Sequence, residues 1–253
     1  MSRATRILRP TVALAALCTM SATLLAACGG DDKDSSDVAA DAPSSQEASP
    51  TPSPVVLPAG VLALPEPNAE DETVITEPGR YRVALSDTLA FEADLPVDTS
   101  VNGDGLYIIY KDTVLKVEPA GERYGVPSDP CNGFEAIAAA GPTVEDLVTA
   151  IRAQSIYRTS RPEPVEVDGA AGTYLEVRIP AKYDASACAD DQVGLPGNPD
   201  SNNNMAPGYV GRWWVLDVDG QRTVAQVFCG PCDGGGLETV TTMARSITFT
   251  PTP

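Results

Sequence analysis

Seventeen consecutive residues without a charge, TVALAALCTMSATLLAA at 11–27, set the limits within which this chain can fold. They follow Arg3, Arg6 and Arg9, with no acid among the first ten residues. A basic start leading into a short apolar run is the pattern of a secretory signal. The run is shorter than the roughly 20 residues a helix needs to cross a bilayer, and no basic flank follows to hold it there. Residues 1–27 are therefore expected to be removed. The next stretch, 28–72, begins CGGDDKDSSD and passes through SSQEASPTPSP. It has too few large apolar side chains to offset its ordering entropy, and its prolines make it a semi-extended spacer. Val55-Val56-Leu57 and Val61-Leu62-Ala63-Leu64 are less polar and are placed where they can dock on the domain. The folding part is thus 73–253, a length that suits one domain with its own core.

The apolar run ends Leu25-Ala26-Ala27-Cys28-Gly29. An aliphatic residue, two small residues and a cysteine resemble the lipobox of bacterial lipoproteins. That resemblance implies cleavage between Ala27 and Cys28 and a diacylglyceryl thioether, with further acylation such as palmitate, on Cys28. A single acyl chain anchors only marginally, so stable attachment takes two or more. The expected location is the extracytoplasmic face of the cell membrane, held by lipid.

The formal charge is −18, and loss of the three signal arginines takes it to −21. A balance that acidic argues against nucleic acid and against adsorption to anionic head groups. The chain has no histidine. This removes Ser-His-Asp and Cys-His catalysis and His-ligated zinc. No G-x-S-x-G elbow, S-x-x-K, P-loop or G-x-G-x-x-G is present either. No cofactor or metal is implied.

Period-two alternation predicts strands at YRVAL (81–85) and at 89–95, where Leu89, Phe91, Ala93 and Leu95 face inward and Ala90, Glu92 and Asp94 outward. Gly103-Asp104-Gly105 reads as a turn, followed by LYIIY, a tight turn at Lys111-Asp112, and TVLKVEP at 113–119. The spacing of Val144, Leu147, Val148 and Ile151 predicts a helix over 143–154. Thr143 and Asp146 are placed to form its capping box. Asp168-Gly169 and Asp219-Gly220 sit between alternating runs and predict two tight hairpins. A weaker helix is read at 237–245, with a closing strand at 246–250. Hairpins plus two separate helices give an α+β fold: a mostly antiparallel sheet with about two helices packed on it, in a single domain. The segment 181–207 has no periodicity and is a long loop, a kind that is usually functional or disordered.

Four cysteines remain after the signal and the lipid site: Cys131, Cys188, Cys229 and Cys232. An even number in an exported chain implies disulfides. Three pairings are open. Cys229 and Cys232 are close enough to close on each other, which leaves Cys131 with Cys188 as a structural bridge. In the chain-entropy model a loop of about 58 residues stabilises by about 4 kcal/mol and the four-residue ring by about 2. Cys229-Gly230-Pro231-Cys232 also has the sequence of the thioredoxin active site, so a thiol–disulfide oxidoreductase is the alternative function. Phe228 stands where that motif has Trp, and only 21 residues follow Cys232. Asp233-Gly234-Gly235-Gly236 is a poor opening for a helix. These features favour a static bridge.

Other acidic and aromatic groups have plainer readings than a site. Asp98, Ser100 and Asn102 begin like a calcium loop, but Ile109 stands where a bidentate Glu is needed. Asp184, Asp190, Asp191 and Asp200 read better as a solvated loop than as a cation site. Glu163, Glu166 and Asp168 lack the evidence of a cleft that a glycosidase requires. Trp213 and Trp214 must point to opposite faces of a strand. One belongs to the core, and the other, Trp214, is the candidate to mark a binding patch with Tyr209. The element order, with Pro-Ser-Asp-Pro-Cys at 127–131, PEPVEVDGAAGTYLEV and WVLDVDGQRTV, resembles a group of actinobacterial lipoproteins and, more loosely, PsbP/Mog1-like sandwiches. That resemblance implies no catalytic residues. The expected role is a non-enzymatic, lipid-anchored module that binds a small molecule or protein partner through its long loop and sheet face.

Overall fold

The computed structural model describes residues 57–102, 107–131, 136–199, 203–230, 232 and 235–252. The signal, Cys28 and the spacer up to residue 56 lie outside the described residues, as does the turn expected at 103–105.

The chain enters with β1 (Val61–Ala63) and β2 (Glu72–Val74). A first hairpin, β3 (Gly79–Ala84) and β4 (Leu89–Leu95), leads to β5 (Thr99–Asn102), β6 (Tyr107–Tyr110) and β7 (Thr113–Pro119). Short β8 (Gly125–Pro127) and β9 (Ile137–Ala139) precede helix α1 (Val144–Ala153). Then come β10 (Arg158–Thr159), β11 (Glu163–Val167) and β12 (Ala170–Arg178). The long loop carries β13 (Val193–Gly194) and β14 (Asn204–Met205). The chain closes with β15 (Val210–Val218), β16 (Gln221–Cys229), α2 (Gly236–Arg245) and β17 (Thr248–Pro251).

These strands form a large sheet in the order β10-β12-β15-β16-β7-β6-β5-β2, with β11 also on β12, and a small sheet in the order β1-β3-β4-β17. All pairings are antiparallel except β1 on β3. The result is the expected α+β architecture.

Local chemistry explains the well-read elements. In α1, Thr143 Oγ1 accepts from the Asp146 amide at 3.1 Å, and Asp146 Oδ2 accepts from the Thr143 amide at 3.0 Å. Leu147, Val148 and Ile151 are buried. Both Asp-Gly turns are left-handed at each residue, with φ of 50° and 78° at 168–169 and 51° and 83° at 219–220. That geometry matches the twist of the flanking strands. The threonines that weaken α2 as a sequence are accommodated by back-bonding. Thr239, Thr241 and Thr242 donate to the carbonyls of Gly235, Leu237 and Glu238.

The large sheet is covered on both faces. One face packs against the small sheet and α2, joining Phe91, Leu95, Ile108, Leu115, Trp214, Leu216 and Val240. The other packs against α1 and the long loop, joining Tyr124, Leu147, Ile151, Leu175, Val193, Tyr209 and Trp213. Two sequence expectations need correction. The folded part starts before residue 73, because β1 already pairs with β3 and β2 spans the expected boundary. Ala90 and Glu92 do not face solvent, because β4 is an inner strand of the small sheet and Arg80 lies over Glu92 at 3.2 Å.

Candidate functional site

The described residues of the segment 181–207, namely 181–199 and 203–207, form a built structure. Tyr183, Cys188 and Asp191 amides close its first turns on Pro180, Ala185 and Cys188 carbonyls. Residues Val193 to Gly197 are all buried. Gly197 exchanges two backbone hydrogen bonds with Gly125, at 3.0 and 3.1 Å. Tyr157 donates to the Gly194 carbonyl at 2.5 Å. The segment therefore covers one face of the large sheet.

Beneath it lies a buried polar cluster. Lys116 and Glu118 are two apart on β7 and so share a face. They are 1% and 4% exposed and form an ion pair at 2.8 Å. Glu118 also accepts from the Tyr124 hydroxyl at 3.2 Å and from Asn198 Nδ2 at 3.1 Å. Lys116 donates to Asn203 Oδ1 at 3.1 Å and lies 5.6 Å from the Tyr107 ring centre. Two loop asparagines thus complete the coordination of two charges on the sheet. Burial first, and the Glu118 carboxylate second, push the Tyr107 and Tyr124 hydroxyls up. Sequence reasoning placed Lys116 and Glu118 on a strand but gave them no role. The only local sign is two opposite charges alternating with Leu115 and Val117 on a strand whose neighbours are apolar.

Tyr209 and Trp214, expected to share an exposed patch, are both buried, at 1% and 2% exposed, on opposite faces of the large sheet. Tyr209 is a polar centre of the loop-covered face. Its hydroxyl accepts from Gln226 Nε2 at 2.6 Å and Trp213 Nε1 at 3.2 Å. Burial dominates and pushes its ionisation up, opposed by those two hydrogen bonds. A Cβ at Gly211 would collide with that hydroxyl, so the glycine makes room for it. Trp214 packs at 5.1 Å against Tyr174 and lines a cleft of about 400 Å³. Glu163, Glu166 and Arg245 supply charges of both signs around it. Asp168 does not join Glu163 and Glu166 there; it accepts from the Phe249 amide at 2.8 Å. Beside the cleft, Arg212 is held by Glu238 at 2.7 Å, Thr241 at 2.7 Å and Glu176 at 3.8 Å. A second groove, about 630 Å³, runs between α2 and the β3–β4 hairpin, lined by Arg80, Asp94, Leu95, Thr239, Thr242 and Met243.

No protein-family model matches this chain, and a search of curated proteins finds no match.

Both expected cysteine pairs are at disulfide distance. Cys131 and Cys188 have Cα atoms 4.2 Å apart and tie the start of the long loop to the segment before β9. Cys229 and Cys232, with Cα atoms 5.5 Å apart, close the end of β16. Cys229 is fully buried, while Cys232 is partly exposed. The strand Thr99–Asn102 occupies part of the stretch that began like a calcium loop. Among the described residues no group of three or more acids or cysteines is arranged to hold a metal ion, and no helix is long and apolar enough to cross a membrane.

Proposed function

We propose that this chain is a lipid-anchored protein of the extracytoplasmic membrane face, tethered through Cys28, whose domain binds a ligand or partner without performing catalysis. The observation that carries the reading is the pairing of all four domain cysteines, which belongs to an oxidising compartment. The signal-like start and the Leu-Ala-Ala-Cys sequence agree with it. So does the likeness to actinobacterial lipoproteins, which rests on element order and turn motifs.

The binding surface we assign is the cleft floored by the half-buried Tyr174, which packs on the enclosed Trp214. Its aromatic floor and the opposed charges of Glu163, Glu166 and Arg245 suit an amphoteric small molecule or a short peptide. The long loop is its own sheet's cover and is not the contact surface. The oxidoreductase alternative is disfavoured by position. A thiol that starts an exchange reaction must be accessible, and Cys229, the first cysteine of the pair, is enclosed.

Labelled palmitate tests the tether. Incorporation into the native chain and its loss in Cys28→Ala, together with release from the membrane, is the expected result. A Cys28→Ala chain that stays membrane-bound removes the proposal. The cleft is tested by Trp emission during titration with amino acids and short peptides. A saturable change that Arg245→Gln weakens supports it, and no change with any of them sinks the binding assignment.

A further inference from the structure

We propose that Lys116 and Asn203 are joined by an intramolecular isopeptide bond that the fold itself catalyses, with Glu118 carrying the protons. Lys116 already touches both of the other groups such a reaction needs. Lys116 Nζ is 2.8 Å from Glu118 Oε1 and 3.1 Å from Asn203 Oδ1. The carboxamide carbon is one C=O bond further on, about 1.2 Å. A small rotation of Asn203 brings amine and carbon to the roughly 3–3.5 Å of a near-attack pair. Asn203 Nδ2 donates to the Pro196 carbonyl at 3.3 Å, which turns Oδ1 towards the amine. Lys116 and Glu118 are buried, and water is kept from the amine.

The chemistry balances without a co-reactant. Transfer of one proton from Nζ to Glu118 leaves an uncharged amine and a neutral carboxyl, both cheaper to bury than ions. The Nζ lone pair then forms a bond to Asn203 Cγ. A second proton leaves Nζ, the Cγ–Nδ2 bond breaks, and Glu118 delivers both protons to the departing nitrogen. Ammonium is released, the amide Nζ–Cγ remains, and Glu118 ends as a carboxylate. No atom is oxidised or reduced. Holding the groups together in one fold supplies the effective concentration that makes such an amide exchange feasible, and exclusion of water opposes hydrolysis.

The bond would rivet the long loop to β7, on the same face as Cys131–Cys188. Unlike that bridge, it would survive reduction. Asn198, which donates to Glu118 Oε2 at 3.1 Å, holds the proton carrier in place.

The test is a tryptic map of the chain purified from its native membrane and fully reduced. Trypsin cuts after Lys111, Arg123, Lys182 and Arg212. The expected product is a branched peptide that joins 112–123 to 183–212 and is lighter than their sum by one ammonia. Cleavage after Lys116 should be absent, and fragmentation should place the branch at Asn203. Glu118→Gln is expected to restore cleavage after Lys116 and the full mass of 183–212. The wild-type map decides the matter even if that variant folds poorly. Separate, full-mass 112–116 and 183–212 peptides overturn the proposal. So does an ammonia loss in 183–212 with Lys116 still cleaved, which marks a cyclic imide of an asparagine.

Discussion

The two faces of the large sheet are closed by different physics. One is covered by a second sheet and by α2, through apolar contacts among Phe91, Leu115, Trp214 and Val240. The other is covered largely by a loop, and there the sheet keeps Lys116, Glu118, Arg222 and Gln226 buried. Regular elements satisfy their own backbone groups and can close a face by packing alone. A loop brings unpaired carbonyls and amides, and the sheet must supply partners. Arg222 does this on a large scale, donating to carbonyls of Ala120, Gly121, Tyr124, Gly141 and Thr143. A loop-covered face therefore needs many specific fasteners, where the packed face adds to its apolar contacts chiefly Arg212, bonded to Glu238 and Thr241 of α2.

The contrast is testable. Phe91→Ala on the packed face is expected to cost about 3–5 kcal/mol through a cavity. On the loop-covered face, replacing Cys131 and Cys188 together with Ser is expected to cost about 4 kcal/mol, against about 2 for the Cys229–Cys232 ring. Urea unfolding measures all three. Only the Cys131/Cys188 change should make 181–207 protease-sensitive while the rest stays folded. Equal sensitivity in Phe91→Ala would erase the distinction.

Tyr209→Phe leaves the Gln226 and Trp213 donors without their partner and should cost about 2 kcal/mol, from about 1–3 for an unsatisfied buried group. On the packed face, Tyr81 donates only to Glu77 O at 2.8 Å, so Tyr81→Phe should cost about 1 kcal/mol. The same asymmetry appears at high pH. Burial holds the ionisation of Tyr124, Tyr157 and Tyr209, all on the loop-covered face, above the ordinary value. The unfolded chain releases these protons from about pH 10, and the folded chain does not. Stability should thus fall as pH rises beyond about 10. Ultraviolet tyrosinate absorbance should lag in the native protein and jump at unfolding. A smooth titration of every tyrosine near pH 10 would contradict the burial.

Smaller effects come from the helix ends. Thr143→Ala should cost about 1 kcal/mol. Its hydrogen bonds to Asp146 hold that carboxyl below the usual range. The unfolded chain protonates first as pH falls, so this contribution is complete above about pH 4 and fades below it. Asp146→Asn should remove that part of the acid dependence. At α2, Glu238→Gln removes a solvent-exposed carboxylate from its pair with Arg212. It should shift stability least, and the shift should vanish at high salt.

Much of this fold is written locally. The capping box of α1, the apolar stripe 144-147-148-151 and the two Asp-Gly turns need no distant partner to be recognised. The short strands β8, β9, β10, β13 and β14 hold two or three residues each, and only their partners make them strands. Burial of Lys116, Glu118 and Tyr209 was illegible for the same reason. It depends on a loop further along the chain folding back over β7, as the 87-residue separation between Lys116 and Asn203 shows. Trp214 was legible as a residue set apart from Trp213 by alternation. That a helix and a second sheet would cover it was not.

The most direct test of an exported, tethered domain with static bridges is differential alkylation of the chain in intact cells, before and after reductant, read by mass spectrometry. Cys131, Cys188, Cys229 and Cys232 should all resist label until they are both reduced and unfolded, and the mature chain should begin at an acylated Cys28. Labelling of Cys229 and Cys232 in the folded chain under mild dithiothreitol, or a chain that retains residues 1–27, would contradict it.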